Sequence, residues 1–462
     1  MDKRFPIEDQ IEMLGSMIRG TVIAPHHPDY DAARMVALAQ FDRRPAAIIR
    51  VANAADIAAV LNFAQATDLP VAVRSGGHST GGFSAADGAL VIDLRALDRI
   101  EIDVAGRTAW AGAGMTSGAV TRAVEQHGLI VGFGDSATVG IAGLTLGGGI
   151  GYLVRKHGLT IDSLLAVEIV TAAGDILVAD ADHHPDLFWA LRGGGGNFGV
   201  VTRFKYRLHP LPSITGGPLV LPPTPEVIAG FAALADAAPD ELSAIAMVMP
   251  IPPVPTVPVE AHGKLAFIAM MAYAGDPDAA QKALAPFRAL ATPLADMIQT
   301  GPCSSLYMLD PPDMRAMVSV RSRFTNRFGL DEARALVAAA QSCTAPMSMS
   351  QIRVLGGAHI AVPADATAFA HRSDRFMVSF LAMYGGGPDE IAAQERWVAN
   401  SLAAVVPAGA GTYVNFLGTE DAHSGVAAAY APATRERLAR VKHRYDPDNL
   451  FRLNTNIAPA AA

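Results

Sequence analysis

The chain has 462 residues, 51% of them hydrophobic and 17% charged, with a net charge of -8 at pH 7. That length exceeds one ordinary core and points to two domains, each able to bury substantial apolar area; the acidic balance argues against a nucleic-acid binder, which would carry a basic patch or stripe. Two cysteines, Cys303 and Cys343, cannot supply a disulfide framework and form no Cys-x-x-Cys pair, so buried thiols are expected.

The opening MDKRFPIEDQIEMLGSMIRG mixes acidic and basic residues and lacks the apolar run and small-residue cleavage site of a signal peptide, so a cytoplasmic protein is expected. Residues 46 to 104 alternate strand-like and helical text: AAIIRVAN, AADIAAVLNFAQATD, LPVAVRS and ALVIDLRAL. This is an α/β rhythm, and RTAWAGAGM, TSGAVTRAVEQHG and LLAVEIVTAAGDILVAD are read as a second such set. The uncharged stretch Ala137 to Val154 raises the question of a membrane span. Its glycines at 140, 143, 147, 148, 149 and 151 favour backbone packed against a ligand instead. Around 210 to 226, HPLPSITGGPLVLPPTPEV is dense in proline and reads as a linker or domain boundary. Beyond it, KLAFIAMMAYA and RFMVSFLAMY are strand candidates, with DAAQKALAPFRALA and DEARALVAAAQS as helices between them. A mixed sheet covered by helices is expected.

The chemistry concentrates in glycine-rich text. RSGGHSTGG places His78 among glycines whose freed backbone N–H groups can converge on an anion such as a pyrophosphate. SATVGIAGLTLGGGIG follows at 136 to 151 and LRGGGGNFGVVT at 191 to 202. The latter contains a formal G-x-G-x-x-G at Gly194, Gly196 and Gly199. Helix-like HPDLFWALR precedes it and strand-like VVTRFKYRL follows, the reverse of the strand, glycines, helix order of a nicotinamide-binding turn, so that reading is rejected. His157, His183, His184, His359 and His371 form no His-x-x-x-His pair with a nearby carboxylate, and no metal is expected. The methionines of AIAMVMP and FIAMMAY read as core or pocket wall.

These elements, with TYVNFLG at 412 to 418 and RYDPDNLFRLNTNI at 444 to 457, resemble in order and spacing the FAD-linked oxidases of the vanillyl-alcohol oxidase superfamily, in the berberine-bridge-enzyme-like branch with its bacterial relatives. The resemblance runs from about Phe41 to Pro459. It implies an α+β fold: a two-part FAD-binding domain of the PCMH type and a substrate domain of mixed or antiparallel sheet covered by helices. The implied boundaries are an N-terminal helical segment at 1–40, the FAD-binding domain at 41–212, the substrate domain at 213–425 and a C-terminal segment at 426–462 that returns to the FAD-binding domain.

For the site, the resemblance implies a covalent bond from the His78 imidazole to the 8α carbon of the flavin. A neutral imidazole nitrogen can add to the electrophilic quinone-methide form of that methyl group; a hydrogen-bonded core histidine is the plainer role. Relatives that attach flavin twice use a cysteine where this chain has Ser136, so FAD is expected to be held once. Arg74, Ser75, Gly76, Gly77, Ser79 and Gly81 would cradle the diphosphate. Thr138, Gly140, Gly143, Gly148, Gly149 and Gly151 would line the flavin and ribityl chain. Val201 would offer backbone to the adenine side, Asn454 and Asn456 would return near the ring, and Tyr152 would be a ring-side wall or a core residue. The Tyr-x-Asn element supplies Tyr413 and Asn415. Tyr413 is the candidate base, provided burial and neighbours move its pKa toward neutrality; the alternative is a tyrosine packed in the sheet. Ser379 stands near the position where some relatives carry Glu or Gln and cannot serve as a strong base. Val139 occupies the position where this family gates dioxygen. The implied function is an FAD-dependent oxidase that takes hydride from a C–H beside oxygen or nitrogen and releases hydrogen peroxide. An oxidative cyclase or tailoring enzyme of secondary metabolism is the alternative, and a flavin-loaded binding protein without turnover a third. The expected partners are a small-molecule substrate and dioxygen, with neither nucleic acid nor membrane.

Overall fold

The computed structural model describes residues 5–211, 213–252, 259–307, 315–418 and 424–461. Three strands, Ala47–Arg50, Leu90–Asp93 and Val71–Arg74, pair in parallel. Their side chains are almost all buried, as expected where helices and a second layer cover both faces of a parallel sheet. The helix Ala54–Thr67 makes the crossover. Asn53 caps its start by accepting the Asp56 N–H at 3.0 Å, and Asp68 ends it in the left-handed conformation. The N-terminal segment, expected to be helical, holds the helices Ile7–Met17 and Tyr30–Arg34 but also a strand. Thr21–Ile23 joins the sheet edge antiparallel to Ala47–Arg50. Three residues are too short to display a period, so only the partner strand reveals it.

The second sheet departs from the α/β rhythm expected of it. Ile100–Asp103, Thr108–Gly112, Val200–Arg207, Leu164–Val170 and Ile176–Asp180 lie side by side in that order, every pair antiparallel. LLAVEIVTAAGDILVAD folds back on itself near Gly174, whose φ of +85° lies in the left-handed region, and forms a hairpin rather than crossing over. One apolar core joins both sheets and takes in Leu438, Val441, Tyr445, Phe451 and Ile457 from the end of the chain.

The third sheet is antiparallel throughout its described pairs. Its path is Ala295–Asp296, Ile214–Leu221, Leu265–Tyr273, Leu242–Pro250, Met347–Val354, Phe376–Tyr384 and Met317–Thr325, with Gln299–Gly301 also on Ile214–Leu221. The proline-dense stretch read as a linker or domain boundary contains the strand of this sheet that comes first in the chain, paired on both sides. Pro218 fits because its fixed φ suits extended backbone and its carbonyl accepts the Met297 N–H at 3.0 Å. Alternation decides the faces. Ala244, Ala246 and Val248 belong to the core formed with the helices Pro225–Ala237, Pro277–Arg288 and Leu330–Ser342. Ile245 and Met247 meet Tyr152 and Leu153 on the other face. Among the described residues, no helix is long and apolar enough to cross a membrane.

Candidate functional site

A cavity of about 310 Å³ lies where the glycine-rich loops, the third sheet and the C-terminal segment meet. The strand Val71–Arg74 delivers one wall. At its end Arg74 is buried and ion-paired with Asp93 at 2.9 Å, and Asp93 also binds Arg95. The guanidinium is thus turned into the sheet. Arg74 anchors the loop and is off the cavity wall, which corrects its expected place in a diphosphate cradle. Ser75, Gly76, Gly77, His78 and Ser79 do line the cavity. Gly76 touches Gly140, and a Cβ on either would collide with the other's backbone nitrogen, so the first two glycine motifs meet only because both lack side chains. Across this contact His78 Nε2 lies 3.1 Å from Thr138 Oγ1, which lies 3.3 Å from Ser136 Oγ. The imidazole, Thr138 and the serine that stands for a second attachment point share one hydrogen-bonded line.

Val139, Gly140, Gly143 and Val201 also face the cavity. Gly148, Gly149 and Gly151 lie off its wall. Gly148 and Gly149 have φ of +130° and +82° and shape the backbone behind it, while a Cβ on Gly151 would strike the Phe133 carbonyl. Gly81 packs on the Phe83 ring. Tyr152 is a core residue beside Leu153 and a small separate void that Cys303 and Tyr307 also line, so it is not a wall of the main cavity. Asn454 is a wall residue and Asn456 is not.

Asn454 is held in place by a buried device near the chain end. Lys442 Nζ bonds Asp446, the Asn197 carbonyl at 2.8 Å and the Phe451 carbonyl at 3.0 Å, and Asp446 receives the Leu450 and Phe451 N–H groups. A buried ion pair with all these bonds satisfied fixes a register. It brings Asn454 Nδ2 to 3.1 Å from the Gly196 carbonyl and leaves Asn454 Oδ1 buried without a partner. Asn197, a cavity residue not foreseen from the sequence, ties the same turn to Thr455 and Ile457.

Tyr413 and Asn415 enter from the third sheet's side. The Tyr413 hydroxyl accepts the Gly149 N–H at 2.9 Å and Asn415 Nδ2 at 3.0 Å, and Asn415 also donates to the Leu144 carbonyl at 3.1 Å. Burial pushes the Tyr413 phenol above its usual pKa, outweighing these bonds and the nearby Arg353 charge, which act the other way. This direction is away from the neutrality expected of a tyrosine base, and the phenol ties the backbone of the glycine-rich segment to the third sheet. Tyr413→Phe leaves the Gly149 N–H without its partner. Unfolding free energy should fall by about 1–3 kcal/mol, read from denaturant midpoints, while flavin reduction should slow by less than the ~100-fold that loss of a general base causes.

Two charged wall residues escaped the sequence reading. Arg353 reaches Asp135 Oδ2 at 2.6 Å, Gln351 Oε1 at 2.9 Å and the Ile150 carbonyl at 3.2 Å. Polar Gln351 and Arg353 alternate with buried Ile352 and Val354 in one strand, and that period of two was the available signal. Ser379 donates to Gln351 Oε1 at 3.3 Å, a packing role.

These walls fit FAD. A Cβ built on Gly143 or Gly196, both cavity residues, meets no atom within 4 Å beyond its chain neighbours and, for Gly143, its own helix backbone, and Asn454 Oδ1 is an acceptor awaiting a donor. Comparison with known proteins agrees. Residues 45–180 match the family described as FAD binding domain, and 412–458 the family described as Berberine and berberine like. (R)-6-hydroxynicotine oxidase of Paenarthrobacter nicotinovorans is 31% identical over 454 residues, covering 96% of this chain and 97% of the relative. The crystal structure of 6-hydroxy-D-nicotine oxidase from Arthrobacter nicotinovorans superposes with a TM-score of 0.86 at 28% identity, covering 96% of this chain and 98% of that one. Glucooligosaccharide oxidase from Acremonium strictum, with its 6-S-cysteinyl, 8α-N1-histidyl FAD, shares the fold at a TM-score of 0.85 and 24% identity over 98% of this chain and all of its own. With glycine loops shaped for a dinucleotide and a relative matched from end to end, the chain belongs to the berberine-bridge-enzyme-like FAD-linked oxidases and is an FAD-dependent oxidoreductase.

Proposed function

We propose that this protein removes hydride from a C–H beside oxygen or nitrogen of a small organic molecule, with FAD attached through His78 alone and dioxygen as the electron acceptor, yielding hydrogen peroxide. The observation that carries this reading is His78 in the cavity wall, its Nε2 engaged by Thr138, with Ser136 in place of a second attachment point. Cys303 lies on the separate void and Cys343 contacts Gln394, so neither thiol competes for a second linkage. Bound FAD would supply the two-electron chemistry. The chain's part is to hold it: Gly76, Gly140, Gly143 and Gly196 leave room for it, and Asn454 offers an acceptor. The nicotine-derived amine named for the 31% identical relative supports a small-molecule substrate. Alcohols, amines and small sugars, including (R)-6-hydroxynicotine, should be screened for anaerobic bleaching of the flavin. Bleaching followed by peroxide on readmission of air is expected; a flavin that no compound bleaches counts against the reading.

Dioxygen access is tested at Val139. It lines the cavity, and its carbonyl is pinned by the Ser117 N–H at 2.9 Å and hydroxyl at 3.0 Å. Val139→Leu adds one methylene at a fixed backbone position, at a cost of at most about 1–3 kcal/mol. Reoxidation of the reduced protein by dissolved oxygen should drop sharply while turnover with an artificial dye persists. Equal loss of both would indicate general damage, and an unchanged oxygen rate would place the oxygen path elsewhere.

A further inference from the structure

Oxidation of an H–C–X–H group, with X oxygen or nitrogen, releases a proton as well as a hydride, and a raised phenol that already accepts two hydrogen bonds is poorly suited to take it. Asp135 is the carboxylate among the described residues that line the cavity. It precedes the second glycine motif by one residue and meets Arg353 across the domains. The two partners are unequally enclosed. Arg353 is 5% exposed, and its three nitrogens are spent on Gln351, the Ile150 carbonyl and Asp135. Asp135 is 16% exposed; Oδ2 is held by Arg353, and Oδ1 accepts no hydrogen bond among the described residues. The cation is closed in, while the anion, on a residue that lines the cavity, keeps acceptor capacity. A carboxylate is an acceptor only, so a ligand there must present an N–H or O–H donor.

We infer that Asp135 is the group that binds the substrate's X–H and takes its proton. As the carbon's hydrogen leaves with its electron pair to FAD, the X–H bond breaks, a C=X double bond forms and the proton passes to Asp135 Oδ1, from which it returns to solvent. The two electrons that the substrate loses would pass to bound FAD, so the step balances with the chemistry that the cofactor would supply. This assignment rests on the reading of the cavity as an FAD oxidase site, and it makes donors, ammonium or hydroxyl, the accepted class and carboxylates the rejected one.

The test uses probes that cannot react. 2-Phenylpropan-2-amine and 2-phenylpropan-2-ol carry no hydrogen on the carbon bearing nitrogen or oxygen, and 2-methyl-2-phenylpropanoate is their anionic counterpart. Binding to the oxidised holoenzyme is followed by calorimetry. The amine or the alcohol should bind the unaltered protein and the carboxylate should not; which donor binds more tightly assigns X. Asp135→Asn, nearly isosteric, should weaken the amine by at least ~10-fold, the scale of one charge-assisted hydrogen bond. With any substrate that bleaches the unaltered flavin, it should slow anaerobic reduction by ~100-fold or more, at unchanged flavin content. Carboxylate binding equal to that of the donors, no donor binding at all, or unchanged affinities in Asp135→Asn overturns the inference. So does an undiminished reduction rate in that variant, which would leave the oxidase reading intact. Should no compound bleach the flavin while amine binding depends on Asp135, the oxidase reading fails and the donor site stands. If Asp135→Asn does not fold, selectivity between donor and carboxylate in the unaltered holoenzyme decides.

Discussion

Replacing His78 with alanine is expected to abolish every trace of acid-stable flavin. The unaltered protein, precipitated with acid and washed, should stay yellow and yield a single flavinylated peptide containing His78; the variant should precipitate white. The argument is chemical and geometric. An imidazole nitrogen is a competent nucleophile toward the 8α position. His78 lies in the cavity wall with its ring engaged through Nε2 by Thr138, and among the described residues that line the wall it is the one imidazole; Ser136 carries only a hydroxyl, and Cys303 and Cys343 are elsewhere. The cavity itself does not depend on His78, since the Gly76–Gly140 contact and the Lys442–Asp446 anchor are independent of it. His78→Ala should therefore bind FAD reversibly and accept hydride more slowly, because a flavin without the electron-withdrawing link is a weaker acceptor. Colour that washes out of the unaltered protein, or a flavinylated peptide containing Cys303 or Cys343, would defeat the assignment.

The sequence carried the local part of this site and missed what depends on distant partners. The parallel strands ending at Arg50, Arg74 and Asp93 were legible because short β-branched runs flank a helix with a good cap. The cavity's glycines were legible as clusters, but which of them face the cavity was not. Gly143 and Gly149 read alike in GLTLGGGIG, yet one opens on the cavity and the other holds the Tyr413 hydroxyl. Arg74 beside a glycine loop suggested an anion partner, and its partner proved to be Asp93, a neighbour only through parallel pairing. The proline-dense stretch concealed a strand because Ile214–Leu221 takes its hydrogen bonds from segments some fifty to eighty residues further on. The direction of the Tyr413 shift follows from burial, a tertiary quantity. The Arg353–Asp135 pair spans the two halves of the chain and has no local signature except the strand's alternation of polar and apolar residues.

Gly143→Leu should have opposite effects on the chain and on its cofactor. Gly143 lies inside the helix Ile141–Leu146, where glycine is about 1 kcal/mol less favourable than a good helix former. Beyond its own helix backbone and chain neighbours it has no atom within 4 Å of where a Cβ would stand, so the protein has room for the side chain. A long side chain in a helix leans toward the N-terminal turn, here toward Gly140 and the Gly76 loop that it contacts. If that space belongs to FAD, the leucine occupies it. The comparison is best made in a His78→Ala background, where FAD is exchangeable. Adding Gly143→Leu should leave the flavin-free chain as stable as before, or about 1 kcal/mol more so. FAD affinity should weaken by up to about 100-fold, the upper end of a 1–3 kcal/mol overpacking penalty. Fluorescence titration with FAD and denaturant midpoints of the flavin-free proteins read the two effects separately. A stable chain that still binds FAD with undiminished affinity would mean that the cofactor does not pass over this helix, and the wall formed by Gly140 and Gly143 would have to be assigned to the substrate.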